Sequence, residues 1–144
     1  MTVAEIVVVM AVIGVVAGVT IPSMLQYVRT AALQAGTREL ATAVNLARQL
    51  AVSRKISVCV DVSGVDVRLR LGGCQGPPWT GPMTTAAGVI HLAVSGVLQV
   101  ASNVRVVFTA LGAATPSGTY TVTDSRTRAS RAIVVAASGR VSVE

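Results

Sequence analysis

The distribution of charge along the chain is uneven, because no charged residue occurs from Ile6 to Val28. A stretch of that length is long enough to cross a bilayer as an α-helix. After it, small and apolar residues recur at steps of three and four, which predicts an amphipathic helix running to about Ser53. Its apolar stripe comprises Leu25, Val28, Ala32, Gly36, Leu40, Ala43, Ala47 and Leu50. The pattern therefore predicts one long helix, apolar in its first half and amphipathic in its second.

Beyond the helix the apolar residues alternate with polar ones, which predicts β-strands. Ile56–Val62 and Val65–Leu71 are joined by Ser63-Gly64 and predict a β-hairpin. A loop rich in Gly and Pro follows at residues 72–82. The further strand-like runs are Val89–Val94, Val97–Val100, Val104–Leu111, Thr119–Thr123, Ala132–Ala136 and Arg140–Val143, with turns at Ser95-Gly96, Ser102-Asn103, Thr115-Pro116-Ser117-Gly118 and Ser138-Gly139. Connections this short favour antiparallel pairing, so the predicted fold class is α+β.

The apolar start differs from a secretory signal peptide, because no Lys or Arg precedes it and the one charge at its edge is Glu5. A carboxylate carried into hydrocarbon on a helix costs about 3 kcal/mol on insertion scales. We therefore expect Glu5 to have a partner. The nearest candidate is the α-amino group of Met1, either its own or that of a neighbouring chain.

Gly14, Gly18 and Pro22 recur every four residues and so share one face of the helix. Small residues at that spacing let helices approach closely in a membrane. Pro22 removes a backbone hydrogen bond, which loosens or kinks the helix near Gly18. These residues predict a helix that packs against protein, and the alternative is a plain single-pass anchor.

Composition supports this division of the chain but selects no ligand. Hydrophobic residues make up 52% of the sequence and aromatic residues only 3%, with a mean hydropathy of +0.68. The densest apolar block lies at the start, which indicates a membrane segment joined to a β-rich domain. The net charge of +6 allows contact with nucleic acid, acidic surfaces or anionic lipid and favours none of them.

The two cysteines, Cys59 and Cys74, both follow the helix. If that part of the chain lies outside the cytoplasm, a disulfide is the default expectation. Their spacing is not that of a redox pair. Together with His91 they show no recognisable zinc-ligand spacing, so we predict neither a metal site nor a cofactor.

The segment Met1–Gly14, followed by Ile21-Pro22, resembles the N-terminal signature of mature type IV pilins and pseudopilins. The resemblance implies that a prepilin peptidase removes a leader and that Met1 is the N-methylated mature N-terminus. It further implies that Glu5 attracts the N-terminal amine of an adjacent subunit during assembly. The implied partners are copies of this chain or homologous pilins, the inner membrane before assembly, and the assembly machinery. The implied location is the inner membrane first and a periplasmic or extracellular filament afterwards.

A second resemblance covers most of the remaining chain and points to the H-type minor pseudopilins of type II secretion and their minor-pilin relatives. The residues that carry it are Ala47-Arg48, Ala51–Arg54, the Cys74 loop with Trp79-Thr80-Gly81, Phe108, Gly112, Ser117–Tyr120 and Ser138–Val141. It implies a long N-terminal helix packed on an antiparallel β-sheet head. The predicted organisation is an apolar helix at 1–28, an amphipathic helical half at 29–54 and a β-rich head at 55–144.

No catalytic constellation is apparent, and we predict a non-enzymatic filament subunit. His91 is interpreted as a surface or packed residue, and Trp79 either plugs the edge of the domain or is an exposed adhesive residue. One alternative function is a DNA-uptake minor pilin, and another is a membrane-anchored domain that never polymerises. The candidate contacts for DNA or another anion are Arg126, Arg128, Arg131 and Arg140. Against DNA binding, few aromatic residues lie nearby to stack on bases.

Overall fold

The computed structural model describes residues 2–92 and 97–144, and for residues 19–23 it describes the backbone without the side chains. Its contacts divide the chain into two compact units, Met1–Ala32 and Leu33–Glu144. We call these the N-terminal unit and the head unit. One helix, α1, comprises Val3–Arg54. Helix α1 is continuous through Pro22, and the kink predicted there stays a prediction.

The C-terminal end of α1 has a defined cap. The N–H of Ile56 donates to the carbonyl oxygen of Ala51 at 3.2 Å, and Lys55 between them adopts a φ of 55°. This six-to-one bond with a left-handed residue is the Schellman arrangement that ends many helices. Helix α1 thus ends within one residue of the predicted position.

Within the head unit, α1 buries one face. Leu40, Ala43, Val44 and Ala47 are fully buried there, at the three- and four-residue steps expected of a core-facing stripe. Burying a leucine side chain such as that of Leu40 contributes roughly 2 kcal/mol. The predicted stripe is therefore correct from Gly36 onward, and its burial attaches this part of the helix to the sheets.

In the part of the chain that the structure describes, eight strands form two four-stranded antiparallel sheets, ordered β3-β2-β1-β5 and β4-β6-β7-β8. The strands are β1 Val58–Ser63, β2 Asp66–Leu71, β3 Val89–His91, β4 Leu98–Ser102, β5 Val106–Phe108, β6 Gly118–Asp124, β7 Ser130–Val135 and β8 Val141–Val143. Each predicted run overlaps one of them, and β4, β6 and β7 extend by one or two residues beyond their predicted bounds. The predicted turn at Ser95-Gly96 lies outside the described residues.

The β1–β2 hairpin is shifted by one residue from the prediction. Ser63 pairs with Asp66, so the two loop residues are Gly64 and Val65 rather than Ser63 and Gly64. Gly64 adopts a φ of 64°, a left-handed conformation that glycine adopts without steric cost. The first position of a two-residue hairpin loop frequently requires that conformation.

The short connection after β4 does not form a hairpin, so the expectation of local pairing is wrong there. Strand β4 pairs with β6, and β5 pairs with β1 of the other sheet. The chain crosses between sheets at this point. Both sheets contribute to one core with α1, in which Phe108 of β5 and Tyr120 of β6 are the largest fully buried side chains.

Candidate assembly surface

The described part of the N-terminal unit exposes apolar side chains on every side of α1. Val3 is 81% exposed, Met10 71% and Val15 70%. The exposed large apolar residues of this unit are Val3, Ile6, Val7, Val8, Val9, Met10, Val12, Ile13, Val15, Val16, Met24, Leu25, Tyr27 and Val28. An uncovered apolar surface of this kind marks a contact with protein or membrane. We call these fourteen residues the apolar helix surface.

Among the described residues, no helix is both long and apolar enough to cross a membrane.

Gly14 and Gly18 lie on this helix with open space around them. A methyl group built on either residue would meet no atom within 4 Å. Glycine inside a helix is destabilising by about 1 kcal/mol relative to alanine. The packing described within the chain therefore gives no reason for glycine here, and the predicted role in close helix contacts stays a prediction. The third member of the face, Pro22, lies outside the described side chains.

The first turn of α1 contains one half of a capping box. The backbone N–H of Thr2 donates to Oε2 of Glu5 at 3.4 Å, and the N–H of Glu5 donates to the carbonyl oxygen of Thr2 at 3.1 Å. A Thr followed three residues later by Glu is the sequence signature of this motif. The sequence-based prediction assigns Glu5 a partner amine but does not include its capping of the helix. The spacing of three residues between Thr2 and Glu5 is the signal that could have revealed this capping role. Met1 lies outside the described residues.

In the head unit a disulfide joins Cys59 of β1 to Cys74 in the loop that follows β2, with Cα atoms 5.0 Å apart. The same loop runs back along β2, where the N–H of Leu71 donates to Pro77 at 3.0 Å and the N–H of Trp79 to Leu69 at 2.7 Å. Cys59 is fully buried and Trp79 is 7% exposed. Trp79 is therefore part of the core, as in the first of the two interpretations, and is not an exposed adhesive residue.

An ionic network ties the same loop to the hairpin. Nε of Arg70 lies 3.2 Å from Oδ2 of Asp61, and Nε of Arg105 lies 3.4 Å from Oδ1. The guanidinium of Arg70 also donates to the carbonyl oxygen of Gly76 at 3.3 Å. The side chains of Asp61 and Arg70 are largely buried, whereas that of Arg105 is mostly exposed. The Asp61–Arg70 contact is thus the less solvent-screened of the two pairs.

Tyr120 of β6 places a polar group in the core close to this network. Burial raises the pKa of its hydroxyl well above the usual value, the Asp61 carboxylate raises it further, and the backbone of Val106 partly offsets both. Although the Val106 backbone is near, the hydroxyl has no partner at hydrogen-bonding geometry within the described structure. A buried hydroxyl without a partner is destabilising.

Three elements meet at Arg48 of α1. Its Nε donates to the carbonyl oxygen of Gly112 at 3.1 Å. Gly112 and Gly139 both have positive φ, of 81° and 78°, and a Cβ on Gly139 would collide with the Gly112 carbonyl oxygen. These three residues belong to the motifs that carry the H-type resemblance. The structure explains why they occur together, since they join α1 to the loops that follow β5 and β7.

The four candidate anion-binding arginines do not form one cluster. Arg126 and Arg128 lie in the loop that precedes β7, where the Asp124 carboxylate accepts the N–H of Arg126 at 2.8 Å. Arg140 follows the other end of β7, about 17 Å further along the strand at roughly 3.3 Å per residue. Arg131 lies on β7 itself and is half-buried. The arrangement presents separate charges rather than a continuous basic patch.

His91 lies at the edge of the first sheet, as an exposed residue of β3. Its Nδ1 is 2.6 Å from Oδ1 of Asp66, its partner in the β2–β3 register. This surface pair agrees with the interpretation of His91 as a surface residue.

The architecture matches two solved structures of bacterial proteins. The type IV minor pilin FimU of Pseudomonas aeruginosa is 19% identical, with a TM-score of 0.60 over 82% of this chain and 92% of FimU. GspH of E. coli is 14% identical, with a TM-score of 0.62 over 79% of this chain and 88% of GspH. These likenesses confirm the predicted α+β fold. No curated protein sequence matches the chain.

Residues 36–139 match the family described as type II transport protein GspH. The match begins inside the amphipathic half of α1 and ends at Gly139, so it includes the disulfide, Arg48 and strands β1 to β7. It confirms the resemblance to the H-type pseudopilins and the prediction of a pilus or pseudopilus subunit. The chain belongs to the type II transport protein GspH family.

Proposed function

We propose that this chain is a minor structural subunit of a type II secretion pseudopilus or a type IV pilus, and that it joins the filament through its N-terminal helix. The observation that carries the proposal is the apolar helix surface. Its fourteen side chains are exposed within the described structure, whereas the head unit buries most of its large apolar residues and exposes Val52, Met83, Leu111 and Val143. A neighbouring helix or a lipid phase is the environment that such a surface requires.

The minor role is proposed from the relatives. FimU is described as a type IV minor pilin, and the family description refers to type II transport. The filament partners are then homologous pilins as well as copies of this chain. Before assembly the chain is held in the inner membrane, and the assembled filament lies in the cell envelope. The subunit has no enzymatic role.

The first turn of α1 contains a carboxylate, that of Glu5, which we propose makes an ionic contact between subunits. Glu5 accepts the Thr2 N–H through Oε2 at 3.4 Å, which leaves Oε1 for a second donor. A methylated amine at Met1 of the neighbouring subunit is such a donor and keeps its charge on methylation. Pairing a carboxylate at the edge of an apolar helix removes the cost of leaving it unpaired in hydrocarbon, so the contact selects one register between helices.

The test separates the two roles of Glu5. Glu5→Gln retains an acceptor for the capping box, which accommodates Gln as well as Glu, but removes the charge. Glu5→Ala removes both. The measurement is the amount of subunit in sheared filaments, by immunoblot and immunogold electron microscopy, relative to the amount in the membrane fraction. We expect both variants to accumulate in the membrane and to be depleted from filaments about tenfold or more, since a lost charge pair of 1.4 kcal/mol is a factor of ten.

Thr2→Val is the matched control, because it alters the first turn without changing its charge. It should enter filaments normally. Normal incorporation of Glu5→Gln would contradict charge pairing and leave Glu5 with its capping role alone. A chain that never appears in filaments, even as wild type, would instead support the membrane-anchored domain that does not polymerise.

The processing step has its own test. Mass spectrometry of the N-terminal peptide should find a methylated Met1 amine in cells that contain the prepilin peptidase and an unmodified, longer chain in cells that lack it. An unmodified Met1 in the peptidase-containing strain would contradict the proposed processing.

A further inference from the structure

Of the large apolar side chains that the structure describes, Leu111 is the most exposed, at 92%. It lies in the loop after β5, where the N–H of Thr109 donates to the carbonyl oxygen of Ala113 and the N–H of Gly112 to that of Thr109, both at 2.8 Å. Gly112 closes this turn in the left-handed conformation, with a φ of 81°, as is usual for a three-residue loop. Leu111 is therefore displayed at the tip of a hydrogen-bonded turn.

This turn is held against α1 by close contacts. Nε of Arg48 donates to the carbonyl oxygen of Gly112 at 3.1 Å, and Gly139 packs so closely on the same oxygen that it has no room for a Cβ. A Cβ built on Gly112 would lie 3.1 Å from Cγ2 of Val52. An apolar side chain that is held in place before binding loses little conformational entropy when a partner buries it. Leu111 thus has the geometry of a preformed anchor.

Val52 of α1 extends the apolar surface beside Leu111. Its side chain is 48% exposed. A groove of about 310 Å³ next to it is lined by Arg48, Gln49, Val52 and Ser53. We call Leu111, Val52 and this groove the Leu111 patch. Exposed apolar residues that are scattered singly need no explanation, whereas a cluster of them marks a contact with another molecule.

The rim of the Leu111 patch is basic. Arg48 lines the groove. A Cβ on Gly139 would lie 3.1 Å from Nε of Arg48, so Arg140, which follows Gly139 and is exposed, is adjacent to the patch. Arg54 and Lys55 are exposed at the end of α1, in the turn that follows the groove.

Three carboxylates of the head unit lie away from this rim. Asp61 is held by the two arginines of the ionic network, and Asp66 is paired with the ring of His91. Glu39 precedes Arg48 by nine residues in α1, which is about 13.5 Å along the helix axis.

The other two carboxylates of the head unit lie toward the opposite end of β7 from Arg140. The N–H of Ala136 donates to Arg140, whereas the N–H of Glu144 donates to Ala132. Four strand residues, roughly 13 Å, therefore separate the two ends. Asp124 is buried and is hydrogen-bonded to the loop that precedes β7, which is further still. The patch and its rim thus combine apolar surface with positive charge.

We propose that the Leu111 patch binds the head of a different pilin subunit, one in which acidic residues surround an apolar pocket that receives Leu111. The inference rests on the proposed filament role and names the partner's chemistry. A central apolar anchor with a charged rim is the usual anatomy of a specific interface. Two copies of this chain that met through the patch would place their arginines face to face, and like charges across an interface are unfavourable. The net charge of +6 also opposes contact between copies.

The test is photo-crosslinking of the full chain in cells that assemble the filament. The photoreactive amino acid p-benzoylphenylalanine replaces Leu111, and in the matched control it replaces Met83. Met83 is 58% exposed and precedes β3, at the opposite edge of the first sheet from β5. Crosslinked chains are identified by mass spectrometry. We expect position 111 to crosslink to another pilin whose head has a net negative charge, and position 83 not to do so.

A change of charge at the rim tests the acidic character of the partner. Arg140→Glu should reduce the yield of this crosslink about tenfold, since it replaces an attraction by a repulsion. Arg126→Glu makes the same change of charge in the loop before β7 and should leave the yield unaltered. Both side chains are exposed, so the urea midpoint followed by the fluorescence of Trp79 should equal that of the wild type.

Crosslinks from position 111 to a second copy only, to lipid only, or to the same chains as position 83 would overturn the proposal. An equal loss of yield with Arg126→Glu would do so as well. If the wild type enters filaments but position 111 gives no crosslink to an acidic pilin, this inference fails and the filament role stands. A wild-type chain that is absent from filaments would overturn both.

Discussion

Val12 and Ile13 in the N-terminal unit are more than half exposed, whereas Val58 and Ile133 in the head unit are fully buried. The two units are built from similar aliphatic residues. In the head unit, alternation along strands and the stripe of α1 direct these residues into one intramolecular core. In the N-terminal unit, apolar residues lie on all sides of the described helix, and they remain exposed. The difference separates residues that stabilise the head unit from residues that the proposed function assigns to contacts with other molecules.

The strongest test of this contrast replaces one leucine by alanine in each unit. Leu40→Ala removes a fully buried side chain and should lower the free energy of unfolding by about 3 kcal/mol. Leu25→Ala, at a side chain that is 54% exposed, should change it by less than about 0.5 kcal/mol while reducing entry into filaments. Urea unfolding of the full chain, followed by the fluorescence of Trp79, measures both. Equal losses of stability would contradict the division.

Breaking the disulfide should affect the head unit alone. Cys59 and Cys74 are 15 positions apart, and closing a loop of that size contributes about 3 kcal/mol in the chain-entropy estimate. A reducing agent should lower the urea midpoint of the wild type and leave the Cys59→Ser/Cys74→Ser double variant unchanged. If the reductant destabilised the double variant as well, the effect would not come from this bond.

The meeting point of Arg48, Gly112 and Gly139 gives a matched pair of glycine substitutions. Gly139→Ala places a methyl group against the Gly112 carbonyl and retains a positive φ, so it should cost about 2 kcal/mol or more. Gly72 has a similar φ of 81° but open space around it. Gly72→Ala should therefore cost only about 1 kcal/mol. Thermal unfolding compares them, and equal effects would mean that the contact with Gly112 contributes nothing.

The smallest expected effect concerns Tyr120. Burial raises the pKa of its hydroxyl above the value near 10 of the unfolded chain, so unfolding releases this proton as the pH rises. The free energy of unfolding therefore does not depend on this group below about pH 10 and decreases as the pH rises above that value. Tyr120→Phe removes an unpartnered hydroxyl, so it should raise the free energy of unfolding at pH 7 by up to about 1 kcal/mol and should lessen the alkaline loss of stability. An unchanged alkaline midpoint in the variant would contradict this account.

Local patterns in the sequence predict the elements well. The end of α1 and the position of each strand follow from period and turn residues, because side-chain direction along a helix or strand is set by the backbone itself. The capping role of Glu5 was also available locally, in the spacing from Thr2. The shift of the β1–β2 loop by one residue was not, since Ser63 and Gly64 are both turn residues and the register depends on which strand residues pair.

Contacts between residues that are distant in the sequence decide the features that local patterns did not predict. The strands β4 and β5 are neighbours in the chain but join different sheets, because each gains more by pairing with a distant strand and burying its face in the common core. The same assembly brings Arg48 to Gly112, buries Trp79 of the Cys74 loop in the core, and separates Arg140 from the other three arginines. Arg131 was visible as a charge, but its inward direction became apparent only once β7 had a register with β6.

The sequence by itself determined a long helix with an uncharged first half, a glutamate at its edge, an α+β head and a pair of cysteines. These features depend on residue type and local spacing, which the printed chain contains in full. Only the tertiary structure decided that the head unit buries most of its own large apolar residues while the described apolar helix surface remains exposed. That outcome depends on which surfaces find a partner within one chain, and contacts between distant residues settle it.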